Sequence, residues 1–224
     1  TLTAQADFGV LCHDIFAHID RQEDMQQVLD LFTTTALEIG EGQEYDMDFE
    51  TRDDVTLSEY LQMIKLKTSV LLATSLQMGA MLAGAPEQDA QTLYKFGINL
   101  GMAFQLRDDY LDVYSRTAAF GKTLGTDIVN NKKTYLLLQA FDLAKGEIRN
   151  ELEYWLQPAQ NSDANAKIKA VRDIYDKLDV PAMTLKAIEK YTRNALNTLA
   201  QLPLEPEAIK DMEALTMQLL NRKK

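Results

Sequence analysis

Three aspartates, Asp108, Asp109 and Asp112, sit in the otherwise largely apolar stretch FQLRDDYLD, residues 104–112. On a helix, Gln105, Asp108, Asp109 and Asp112 fall at i, i+3, i+4 and i+7, along one narrow face. The other faces carry Leu100, Ala103, Phe104, Leu106, Tyr110, Leu111 and Val113, with Arg107 as the basic neighbour of the stripe. An ordinary surface helix shows a wide polar face with both charge signs. Neighbouring carboxylates repel, and desolvation sharpens the repulsion. Protons or a cation relieve it. Mg²⁺ suits such a cluster, because it takes oxygen ligands and commonly bridges one or two carboxylates to substrate phosphates. The competing reading is a solvated acidic patch, and the apolar surroundings weigh against it.

The downstream segment GKTLGTDIVNNKKT, residues 121–134, combines glycines, lysines and one aspartate ahead of the apolar run YLLLQAF. It lacks the G-x-x-x-x-G-K-[ST] spacing of a P-loop. Gly121 and Gly125 allow backbone to approach a ligand, and Lys122 and Lys132 can neutralise one. Beside a carboxylate stripe, this composition suggests a diphosphate clamped between metal ions and lysines. A metal also reconciles an acidic chain with an anionic ligand. Two smaller features accompany it: GQEYD at 42–46, and the Lys67-Thr68 pair inside a helix that begins near Ser58. Taken alone, a lysine at the edge of an apolar face is ordinarily a snorkelling side chain.

The elements that must position these groups are helical. Leu61, Ile64, Thr68, Leu71, Leu72, Ser75, Met78 and Leu82 follow i, i+3, i+4 spacing, as do Leu185, Ile188, Thr192, Ala195, Leu196 and Leu199. No alternating run marks a strand. Breaks fall near 84–86, 121–131, 158–164, 179–181 and 203–206. The most linker-like of these, QPAQNSDANA at 157–166, is expected to join two helices of one bundle. RDD at 52–54 is read as structural, because Thr56 and Glu59 have capping-box spacing.

At 224 residues and 46% hydrophobic, the chain is long enough for one substantial core. A net charge of -11 speaks against a nucleic-acid or anionic-membrane partner. The stretch 69–85 is short for a membrane span and contains Gln77, so it reads as a buried helix rather than an integral membrane segment. A single cysteine, Cys12, excludes an intrachain disulfide and fits a reducing, cytoplasmic setting. The two histidines, His13 and His18, lie outside every motif, so no side-chain nucleophile is apparent.

Together these residues resemble the trans-polyprenyl diphosphate synthases, the family that includes farnesyl and geranylgeranyl diphosphate synthases. That family's FQ-x-x-DD-x-x-D motif is matched by Phe104, Gln105, Asp108, Asp109 and Asp112, and its GK-x-x-G-x-D…K segment by Gly121, Lys122, Gly125, Asp127 and Lys132. Its GQ-x-x-D appears as Gly42, Gln43 and Asp46, and its KT pair as Lys67 and Thr68. Four motifs in family order carry the resemblance, which runs from about Ile15 to the basic end NRKK. It implies one all-α domain over 1–224, an isoprenoid synthase-type bundle around a central cavity, assembled as a homodimer. It implies Mg²⁺ held by Asp108 and Asp112 with Asp109 in support, and an allylic diphosphate held by Lys67, Lys122 and Lys132. Gln43 and Asp46 belong to the same substrate site, with Asp46 orienting its basic groups. Thr68, Gln105 and the Lys67 carbonyl would face a developing carbocation. The implied reaction condenses isopentenyl diphosphate with the allylic diphosphate, giving a short product such as farnesyl or geranylgeranyl diphosphate.

One family feature is absent: no first Asp-rich motif occurs in these 224 residues. The chain is therefore expected to begin after it, to be incomplete at the N-terminus, and to be inactive by itself. Two other readings stay open. One is a non-catalytic partner subunit of a prenyl synthase. The other is a terpene cyclase-like lyase, disfavoured by the retained KT, GQ-x-x-D and GK-x-x-G-x-D motifs.

Overall fold

The computed structural model describes residues 22–115, 124–157, 159 and 163–220, and among them every regular element is helical. The elements are α1 (Gln22–Phe49), α2 (Leu57–Ile64), a π-helical turn (Lys65–Ser69), α3 (Val70–Leu82), α4 (Glu87–Tyr114), α5 (Thr126–Val129), α6 (Tyr135–Leu143), α7 (Gly146–Leu156), α8 (Ala164–Lys177), α9 (Val180–Leu199) and α10 (Pro206–Leu220). The expected all-α architecture is the observed one. The linker-like segment at 157–166 starts just after α7, and its last three residues already belong to α8, which begins at Ala164.

Helix boundaries follow local chemistry. Thr56 and Glu59 form the capping box at the start of α2, with the Thr56 N–H donating to Glu59 at 2.8 Å. Arg52 bridges Asp54 at 2.8 Å and Glu59 at 2.9 Å, so the first RDD serves this cap. The Thr134 hydroxyl caps α6, and the Asp163 carboxylate caps α8. Caps of this kind stabilise a helix end by about 1 kcal/mol each. Asp179 opens α9 in a left-handed conformation, at φ 59°.

α4 is the central helix. It packs along α9 on one side and α3 on the other, while α1 packs on α3 and on the π-turn. Its buried residues include Phe96, Leu100, Ala103 and Leu106, which explains the apolar cylinder seen in the sequence. Around the stripe, Leu106 joins Tyr60, Met63, Ile64, Met102, Tyr135, Leu138 and Ile188 in one core cluster. Each large side chain buried there contributes roughly 1.5–3 kcal/mol.

The region of Lys67 departs from the expectation of an uninterrupted α-helix. The Val70 N–H donates to the Lys65 carbonyl five residues back, so Lys65–Ser69 is a wide turn between α2 and α3. Such turns concentrate at functional sites, because the extra residue re-aims side chains. Two helices hold this one closely. A Cβ on Gly42 of α1 would lie 2.5 Å from the Lys67 nitrogen, and one on Gly101 of α4 would lie 2.6 Å from Ser69 Cα. One turn earlier on α4, a Cβ on Gly97 would meet Ala73 Cα at 2.4 Å. These positions accept hydrogen only.

This packing sets up a contrast between two glycines. Gly101→Ala forces backbone apart and is expected to lower stability by about 1–3 kcal/mol. Gly79 lies in α3 with nothing near its missing Cβ, so Gly79→Ala is expected to raise stability by about 0.5–1 kcal/mol. Urea midpoints of the two variants against the parent chain measure both.

Candidate active site

α1, the π-turn and α4 bring the motif residues together. Lys67 Nζ donates to Asp46 Oδ2 at 2.6 Å, joining the π-turn to α1. Neither partner is fully buried, with side-chain exposures of 36% and 23%, so the pair can still meet a ligand. The snorkelling alternative for Lys67 is thereby replaced by a defined ion pair. Gln43 sits on α1 about one turn before Asp46 and is exposed. Thr68 Oγ1 donates to Gln105 Oε1 at 3.2 Å, joining the π-turn to α4.

The three aspartates of the stripe have different surroundings. Asp108 is half-buried. Asp109 is only 2% exposed, and both of its oxygens accept hydrogen bonds, Oδ2 from the Tyr60 hydroxyl and Oδ1 from Gln105 Nε2 at 3.0 Å. Asp112 is half-buried and receives the downstream segment: Thr126 Oγ1 donates to Oδ1 at 3.2 Å, and the Asp127 N–H to Oδ2 at 3.0 Å. The Gly125 N–H also donates to the Asp112 carbonyl at 2.7 Å. Gly125 adopts φ +78°, and a Cβ there would strike Ile168 at 2.8 Å, so this junction needs glycine on two counts.

The same segment brings Lys132 to the stripe. Its Nζ lies 3.6 Å from Asp127 Oδ1, and its backbone N–H donates to the Asp127 carbonyl at 2.9 Å. Lys122 and Gly121 lie outside the described residues, as do Cys12, His13 and His18.

Electrostatics mark this place as short of positive charge. Burial raises the Asp109 pKa, and Asp108 adds to the rise against the opposing pull of Lys132, Tyr60 and Gln105. Burial also lifts Asp127; Lys132 opposes this while Asp109, Asp112 and Asp108 reinforce it, and the carboxyl is pushed up to about 6. Burial alone would pull Lys132 down, yet the fields of Asp109, Asp127, Asp46 and Asp108 raise it. The donors gathered here are oxygens, as Mg²⁺ requires. No group of three carboxylate, histidine or cysteine side chains among the described residues is close enough to form a metal cage.

Three residues at or beside the site escaped the sequence reading. Tyr60 was legible only as an aromatic residue in an apolar-periodic helix. Lys167, fully buried on α8, donates to the Asn131 side chain at 2.6 Å and to the Val129 carbonyl at 3.1 Å. Asn131, at φ 53°, also donates to the Leu156 carbonyl at 2.7 Å. The pair pins the segment that presents Asp127 and Lys132. No local motif announces it, because its partners are 36 and 38 residues apart.

The raised Asp127 pKa has a signed consequence. Between the ordinary carboxylate value and about 6, the folded state binds more protons than the unfolded state, so stability falls as pH rises through that window. Without divalent cations, the chain is expected to gain on the order of 1 kcal/mol from this group between about pH 7 and about pH 5. Asp127→Asn should remove that part of the slope. Asp54 and Glu59, whose pKa values are lowered by their hydrogen bonds, work oppositely and only at more acid pH. Urea titrations across pH, in EDTA, measure the difference.

The comparisons with known proteins agree with this geometry. A family profile described as polyprenyl synthetase matches residues 6–175. A geranylgeranyl diphosphate synthase of Sulfolobus acidocaldarius is 36% identical over 180 residues, covering 80% of this chain and 53% of its own length. A crystal structure of a geranylgeranyl pyrophosphate synthase superposes with TM-score 0.85 at 41% identity, over 96% of this chain and 66% of that one. A polyprenyl synthase from Caulobacter crescentus, solved with calcium and isoprenyl diphosphate, superposes with TM-score 0.78 at 26% identity, over 88% of this chain and 60% of that one. This chain thus spans between about half and two thirds of the length of these relatives. With a family profile matching residues 6–175 and the described motif residues brought together in the same fold, the chain belongs to the polyprenyl synthetase family.

Proposed function

We propose that this chain is a prenyltransferase of the polyprenyl diphosphate synthase type, elongating an isoprenoid by condensing isopentenyl diphosphate with an allylic diphosphate. The observation that carries the reading is the convergence of the Lys67–Asp46 pair and the Thr68–Gln105 pair beside the aspartate stripe. The Caulobacter neighbour, which holds a divalent cation and an isoprenyl diphosphate, supports the ligand class.

In this reading Asp108 and Asp112 hold Mg²⁺, with Asp109 in support from its buried position. The ion supplies charge neutralisation for the diphosphate. Lys67, aimed by Asp46, and Lys132, aimed by the Asp127 backbone, bind the diphosphate oxygens from the protein side. Lys122 and Gln43 complete that set. As the allylic C–O bond breaks, negative charge gathers on the departing diphosphate, where fixed lysines favour the dissociated state over the ground state. The Thr68 hydroxyl and the Gln105 carbonyl offer their oxygen dipoles to the cation. The apolar walls of α4 and its neighbours exclude water, so the homoallylic double bond attacks first. Loss of a proton to the departed diphosphate then completes the new allylic product.

Assembly is proposed to be a two-fold homodimer. Leu29 and Met47 lie on one line of α1, five helical turns apart, with Leu37 beside them; their exposures are 42%, 60% and 72%. No helix among the described residues is long and apolar enough to cross a membrane. A cytoplasmic setting suits the water-soluble diphosphate substrates. Sedimentation velocity at micromolar concentration is expected to show twice the chain mass, and a clean monomer would count against the dimer.

The decisive experiment separates binding from turnover. Calorimetric titration with an allylic bisphosphonate is expected to show Mg²⁺-dependent binding that Asp108→Ala weakens by about tenfold or more. The same substitution should leave the apo melting temperature unchanged or higher, since it removes one charge from a repelling cluster. Equal binding by parent and variant would remove the metal role. Incubation with labelled isopentenyl diphosphate and each allylic primer then tests transfer. Because this chain by itself is expected to be inactive, the discriminating assay is run on a form that also carries a first Asp-rich motif. Such a form that binds diphosphate yet incorporates no label with any primer favours the non-catalytic partner reading.

A further inference from the structure

We propose that Tyr60 is a positioning residue of the ionisation site, acting through Asp109 to fix which face of the Gln105 amide meets the Thr68 hydroxyl and the cation. The inference rests on the prenyltransferase reading for its chemistry, while the side-chain order stands on geometry. Four side chains form a directed chain. The Tyr60 hydroxyl donates to Asp109 Oδ2, Gln105 Nε2 donates to Asp109 Oδ1 at 3.0 Å, and Thr68 Oγ1 donates to Gln105 Oε1 at 3.2 Å.

The direction follows from what each group can do. An ionised carboxylate only accepts, so Gln105 must turn its NH₂ toward Asp109 and its carbonyl away. A free amide has no such preference and reverses readily. The carboxylate is held in turn by Tyr60, which is 1% exposed. Tyr60 packs edge-on against Tyr135 with ring centroids 6.5 Å apart. It directly follows Glu59 of the Thr56–Glu59 capping box, one turn past the N-cap, so the start of α2 aims it.

The consequence for chemistry is a choice of sign. An allylic cation is stabilised by the carbonyl end of an amide dipole and opposed by the NH₂ end. Without the Tyr60 hydroxyl, one oxygen of a buried carboxylate loses its donor. Asp109 can then rotate, and the amide samples both orientations. Tyr60 touches neither diphosphate nor metal in this arrangement. Its loss should therefore slow ionisation without weakening diphosphate binding.

The test uses Tyr60→Phe, which keeps the ring. The Gln105 side-chain amide is assigned by ¹⁵N NMR, from the signal that vanishes in Gln105→Glu. In the parent chain this amide is expected to exchange slowly with solvent, and Tyr60→Phe should speed the exchange by about tenfold or more. Mg²⁺-dependent bisphosphonate affinity should stay within about twofold of the parent. Where turnover is measured, kcat should fall by about tenfold with KM unchanged, and Tyr60→Phe with Gln105→Ala should be no slower than Gln105→Ala alone. Should Tyr60→Phe not fold, Asp109→Asn is read by amide exchange alone, where it should speed Gln105 exchange likewise, because an asparagine amide no longer forces one Gln105 orientation. Slow Gln105 exchange that survives loss of the Tyr60 hydroxyl, or an unprotected amide in the parent, overturns the proposal. An amide that behaves as expected in a protein binding no diphosphate supports the positioning chain and overturns the prenyltransferase reading instead.

Discussion

The arrangement depends on one steric constraint: two long helices approach the same short stretch of backbone, Lys65–Ser69, more closely than side chains permit. Gly42 lets α1 reach the Lys67 nitrogen, Gly101 lets α4 reach Ser69, and Gly97 extends the contact to Ala73. Each gap is too small for a methyl group. The wide turn is thus held between two long helices. Lys67 meets Asp46 on one of them, and Thr68 meets Gln105 on the other. A looser approach would carry the pairs beyond hydrogen-bonding distance, since these bonds weaken steeply with distance and misalignment.

On that frame sits an electrostatic imbalance. Asp109 is buried and Asp127 half-buried near Asp108 and Asp112, and both are raised above the usual carboxylate range. Lys132 shares their field and is raised in turn. A site with surplus negative charge and few fixed cations is suited to a ligand that arrives with its own metal. In the proposed reading an acidic chain can thereby recognise an anion: a metal would invert the local charge, and the lysines would hold the diphosphate against it.

The aspartate stripe also divides its labour. Asp112 anchors the downstream segment through the N–H of Asp127 and the hydroxyl of Thr126, which places Lys132 within reach of the stripe. Asp109 binds Tyr60 and Gln105, and so ties α2 to α4. Asp108 lies half-buried on the same face. Three residues identical in type therefore differ in task because their neighbours differ, and that difference lies in the packing.

Much of the molecule was legible in one dimension. Apolar spacing announced the helices, and Thr56 with Glu59 announced a cap, because both signals act within a few residues. The i, i+3, i+4, i+7 spacing of Gln105, Asp108, Asp109 and Asp112 placed them on one face, and motif order pointed to the family. The sequence determined, by itself, the residue types and their helical register. Tertiary structure decided the rest. The π-turn at Lys67 is held where Gly42 and Gly101 let α1 and α4 close onto it. Tyr60 reaches Asp109 across 49 residues of chain. Lys167 pins Asn131 across 36. No local pattern encodes such pairs, since their partners meet only once apolar faces far apart in the chain have been buried against one another.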